Sequence, residues 1–77
     1  MKANDTIYTN MSRVSIGKLR REVMKNGSFT FNSIKNDLVT VYKNEDQNYY
    51  ALELNEEFIK VARNWKHIQK TIEQKFI

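Results

Sequence analysis

The chain has 77 residues, 40% of them hydrophobic and 12% aromatic, with neither cysteine nor proline. That is one small domain, 1–77, with apolar content enough for a core, no disulfide or thiolate–zinc site, and no apolar run near the roughly 18 residues that span a bilayer. The net charge of +4 is unevenly placed, +5 over residues 1–43 and −1 over 44–77, and a basic half of this kind favours an anionic partner, nucleic acid being the commonest.

Residues 1–5 read as a loose terminus. A short first strand is expected around Met11–Val14. Ser15 then offers a hydroxyl to the orphan amides of a helix start. Ile16, Leu19 and Val23 follow at helical spacing, with Met24 widening their face. Asn26-Gly27 ends the segment, because glycine accepts the left-handed conformation common at helix ends. SFTFNSIKND (28–37) fits both an alternating strand and one helical face, and a short second helix or turn is the expectation there.

LVTVYK (38–43) is β-branched and aromatic throughout and reads as a strand. A polar turn, 44–48, joins it to YYALEL (49–54), which alternates with Tyr50, Leu52 and Leu54 on one face and Tyr49, Ala51 and Glu53 on the other. Asn55 reads as the cap of a last, long helix, with Glu56 and Glu57 at its positive end. Phe58, Val61, Trp65, Ile68 and Ile72 then form one apolar stripe in steps of three and four. The expected order is β-α-(α)-β-β-α. This is an α+β fold in which a small antiparallel sheet, made of a hairpin plus a short N-terminal strand, has helices packed on one face.

The residues speak against an enzyme. His67 is the only histidine, no glycine pattern presents a nucleophilic serine, and no set of ligands at helical spacing surrounds His67, so neither a triad, nor a metal, nor a cofactor is expected. Gly17 and Gly27 are too far apart for a phosphate loop. The start of the chain lacks a signal-peptide pattern, and with the missing cysteines this leads to a cytoplasmic expectation.

Binding is the better reading. Lys18, Arg21 and Lys25 step by three and four along one side of the first helix, away from Ile16, Leu19 and Val23. With Arg13 and Arg20 they are candidates to meet phosphates or base edges of duplex DNA. Arg20 lies nearer the apolar face and has a structural role as its rival reading. Tyr42, Tyr49 and Tyr50 cluster on the hairpin, where cross-strand packing is a stronger reading than base stacking. On the last helix, Trp65 with Val61, Ile68 and Ile72 is the candidate protein-interface patch, rimmed by Arg63, Lys66 and Lys70, and core packing on the hairpin is its rival. A stripe that overhangs a short hairpin, in a domain this small, leads to the expectation of a homodimer.

VSIGKLRREV (14–23), LVTVYKNEDQNYYALEL (38–54) and NWKHIQKTI (64–72) together resemble the prevent-host-death (Phd/YefM) antitoxin family over about residues 11–72. Arg20 matches the arginine of the family's first helix, Val23 the apolar position after it, and Lys43 falls near the basic residue of its hairpin. The resemblance implies a dimeric βαββα antitoxin that represses transcription by binding operator DNA and also binds a partner protein, its toxin. The alternative is a phage or mobile-element inhibitor that docks on a host protein, such as a nuclease, polymerase or defence complex, without touching DNA. The richness in Lys, Asn and Ile, residues with AT-rich codons, suits a low-GC bacterium, plasmid or phage.

Overall fold

A computed structural model describes residues 6–9 and 13–76. Residues 1–5, read above as a loose terminus, and Met11 and Ser12 of the expected first strand lie outside them. The fold is a small α+β arrangement of two antiparallel sheets and two helices. The order is β1 (Thr6–Tyr8), β2 (Arg13–Ser15), α1 (Ile16–Asn26), β3 (Ser28–Asn32), β4 (Leu38–Asn44), β5 (Tyr49–Leu54), β6 (Glu57–Ala62) and α2 (Trp65–Phe76). β1 pairs with β2, and β3-β4-β5-β6 form a four-stranded meander.

α1 begins and ends where its chemistry directs. Ser15 is its N-cap, and its Oγ accepts from the Lys18 amide at 3.1 Å. Gly27 closes the helix at φ 89°, with its N–H donating to the Val23 carbonyl at 2.9 Å. That is a backbone conformation an L side chain resists.

Three expectations need correction. The N-terminal strand is one of an antiparallel pair, β1 with β2. Residues 28–32 are a strand, not a helix or turn, with Phe29 opposite Val41 and Phe31 opposite Val39. The long last helix is shorter than expected, because 57–62 form β6 and α2 starts only at Trp65. Its cap is Asn64, whose Oδ1 accepts from the Lys66 amide at 2.9 Å. The single stripe from Phe58 to Ile72 therefore does not exist, and neither does the overhang that it implied.

Asn55 and Glu56 instead make the two-residue turn between β5 and β6, at φ 52° and 70°. Asn55 also clamps the start of β4. Its Oδ1 accepts from the Leu38 amide at 2.9 Å, and its Nδ2 donates to Asp37 Oδ1 at 3.2 Å. Positive φ at both turn positions is the hairpin geometry that favours Asn-Gly. A left-handed glutamate costs about 1–2 kcal/mol, and a glycine adds about 0.5–1 kcal/mol of unfolded-state entropy. Glu56→Gly should therefore stabilise the chain by about 0.5–1 kcal/mol, read as a rise of several degrees in a thermal melt.

The core lies on one face of the meander. Register places Val39 opposite Leu54 and Val41 opposite Leu52, so these side chains share that face with Phe29 and Phe31. Phe31, Val39, Val41 and Leu52 join Ile16, Leu19 and Val23 of α1, Trp65, Ile68 and Ile72 of α2, and Ile7 of β1 in one buried cluster.

Candidate functional site

The structure divides the charge as well as the layers. Residues 44–57 carry Glu45, Asp46, Glu53, Glu56 and Glu57 and no Lys or Arg, a formal charge of −5 that leaves +9 on the rest of the chain. Five of the nine acids therefore lie along the β4–β5 turn, β5, the β5–β6 turn and the start of β6, while both helices carry more cations than acids.

α1 exposes Lys18, Arg20, Arg21 and Lys25; Lys18, Arg21 and Lys25 leave from the side away from buried Ile16, Leu19 and Val23, while Arg20 stands at the flank, nearer that buried side. Glu22 is the only acid in the helix, and its Oε1 accepts from Asn26 Nδ2 at 2.8 Å. Arg21 folds back toward the helix start. Its Nη1 lies 3.7 Å from where a Cβ on Gly17 would stand. A guanidinium charge is thereby added at the positive end of the helix dipole. Arg13, exposed on β2 opposite Tyr8, is two residues before the first turn. All five candidate cations thus lie on α1 or on the strand that leads into it. α2 turns Lys66, Lys70 and Lys75 outward too, with exposed His67 among them.

The candidate interface residues are separated. Val61 is on β6 and 51% exposed, whereas Trp65 is 7% exposed and Ile68 and Ile72 are fully buried. Trp65 packs edge-on against Tyr50 with ring centroids 5.5 Å apart, and its Nε1 donates to Gln69 Oε1 at 3.0 Å. These three side chains are core.

The tyrosine cluster also divides between faces. Tyr50 lies on the core face, its hydroxyl donating to Met24 Sδ at 3.7 Å and the Lys43 ammonium 5.9 Å from its ring centre. Tyr42 and Tyr49 lie on the outer face with Thr40, Ala51 and Glu53. Phe58 opposite Glu53 and Val61 opposite Ala51 complete that face. Ala51 is fully buried although Phe58 is 58% exposed. Its neighbours close over it, with the Tyr42 and Phe58 rings 6.5 Å apart. Burial, then the adjacent Glu53 carboxylate and then Tyr49, raise the Tyr42 phenol above its ordinary pKa, so it remains a neutral donor. Sequence reasoning missed Phe58 as part of this face, because it had assigned that residue to a helix.

A depression of about 460 Å³ also opens near the β3–β4 connection, lined by Tyr8, Ile34, Leu54 and Phe76 with Lys35 and Asp37 at hand. Ser33 there is committed, its Oγ accepting from the Asp37 amide at 3.1 Å. Among the described residues no group of three or more His, Asp or Glu side chains is placed to hold a metal ion, and no helix is long and apolar enough to cross a membrane. No family model matches the chain, and neither the curated proteins nor the solved structures give a match to it.

Proposed function

We propose that the protein is a small DNA-binding, antitoxin-like repressor that also binds a partner protein. The observation that carries the DNA half is the outer side of α1, where Lys18, Arg21 and Lys25 stand exposed, with exposed Arg20 at its flank, against a single acid that Asn26 engages. A rigid helix with cations on one side and core on the other presents charge to a phosphate backbone without refolding. Arg20 and Arg21 can also fork onto a guanine edge. Arg13 and the folded-back Arg21 add positive charge where the dipole already favours phosphate.

The antitoxin part rests on the sequence resemblance. A strand–helix succession at 13–26 and a hairpin at 38–54 are compatible with it, whereas β1, β3 and β6 are additional to the family's order. The small size of the chain supports a dimeric repressor, with the cytoplasm as its place of action. A second reading, an inhibitor that docks on a host protein without DNA, draws on the open outer face of the sheet around Phe58 and Val61.

The test is titration of duplex DNA at rising salt. The logarithm of the affinity should fall with a slope of about −0.9 per neutralised phosphate. Lys18→Ala or Lys25→Ala should each lower the slope by about one unit for every sequence. No duplex binding at low salt would remove the repressor reading and leave the docking inhibitor.

A further inference from the structure

The geometry points to the outer face of the meander as the docking surface for the partner protein, and to a partner segment whose apolar centre is flanked by cations at both ends. This deepens the partner half of the proposal above and does not depend on the DNA half.

Phe58 and Val61 stand more than half exposed beside Tyr42 and Tyr49. An antiparallel sheet commonly leaves one face to water, and such a face is normally polar. Here the centre is apolar and aromatic. Among the residues that the register places on this face, Glu53 is the only ionised side chain. The turns at the two ends of β5 add acids, Glu45 and Asp46 at one end and Glu56 at the other, whereas Glu57 pairs with Leu54 and so belongs to the core side.

Charge decides the occupant. A second copy stacked face to face would set Glu53 and the acidic turns against their own images, and β6 brings only Lys60, whose register partner Leu52 is on the other face, and Arg63 beyond the strand's end to offset them. Like charges placed across an interface reject a partner, whereas opposite charges steer it. A cation meeting this face finds the Glu53 carboxylate and the ring faces of Tyr42 and Phe58 together, a combination that attracts ammonium and guanidinium groups. The six residues of β5 span about 20 Å, so the partner's cations should be separated by about that distance. A helix of about 13 residues meets that spacing.

The experiment uses the whole chain, isotope-labelled, and two synthetic amphipathic helical peptides. One has a leucine face with lysines at both ends, and its twin has glutamates in place of the lysines. The lysine peptide should shift the resonances of Tyr42, Tyr49, Glu53, Phe58 and Val61. Glu53→Gln should weaken it about fivefold, and Phe58→Ala, which removes an exposed ring and leaves the core intact, by about tenfold. Arg21→Ala should leave its affinity unchanged. Equal binding of the glutamate twin, shifts confined to other surfaces, or no binding would overturn the inference. So would movement of the same resonances with protein concentration alone, which would assign the face to a second copy. DNA binding that survives any of these results keeps the repressor reading intact.

Discussion

Trp65→Ala should remove about 3–5 kcal/mol of stability, the cost of emptying a buried tryptophan site. A chain of this size has about 4–12 kcal/mol in total, so the variant should lose between about a quarter and all of its stability. The side chain closes one end of the core between α2 and β5. It is 7% exposed, packs edge-on against Tyr50, and donates to Gln69 Oε1, while Gln69 in turn donates to Glu73 Oε2 at 3.1 Å. Truncation leaves a cavity beside Tyr50, in the buried cluster that also holds Ile68, and α2 would have to shift against β5 to fill it. Urea titration followed by far-ultraviolet circular dichroism checks this, since the substitution removes the only tryptophan fluorophore. Trp65→Phe keeps a ring against Tyr50 and loses the hydrogen bond, so it should retain most of the stability. An unchanged midpoint for Trp65→Ala would contradict the core assignment and return this residue to the surface role that the sequence also allows.

What the sequence revealed and what it hid have identifiable causes. α1 was legible at both ends because Ser15 and Gly27 each have one strong backbone preference and occupy the positions that need it. β4 and β5 were legible because their alternation is regular across Val39, Val41, Leu52 and Leu54. β6 was hidden by two coincidences. Its pairing with β5 shifts register at Leu52/Glu53, so Phe58 and Val61 share a face although they are three residues apart. Three is a helical step, and the pair joined Trp65, Ile68 and Ile72 in a false stripe. The turn that precedes β6 carries glutamate where such turns favour glycine, so Asn55-Glu56-Glu57 looked like a cap followed by acids at a helix start. β3 was equivocal because Phe31 satisfies both periods. Only its partner strand, with Val39 opposite Phe31, decides between them. The cation side of α1 could be read early, since helical spacing alone sets it. The aromatic outer face could not, because it depends on β6.

Changing Lys18, Arg20, Arg21 and Lys25 together to alanine should abolish most duplex binding while leaving the fold at least as stable. All four side chains are exposed and none belongs to the core cluster. Alanine is also the best helix former, and removing clustered like charges relieves repulsion along α1. The DNA effect follows from counterion release. If each cation meets one phosphate, the salt slope should fall by about 3–4 units, which at about 0.1 M salt corresponds to a loss of about 10³- to 10⁴-fold in affinity. The matched control is Lys66, Lys70 and Lys75 to alanine on α2, three cations on the other helix that are also exposed. A repressor that docks through α1 should lose only a few-fold affinity there, from the weaker general field. Equal losses for the two sets, taken per charge removed, would mean that DNA feels the net charge and not a surface. Full binding by the α1 variant would move the site away from this helix altogether. In that case the cations of α1 would be a solvated helix face, and the open sheet face would remain the molecule's candidate for recognition.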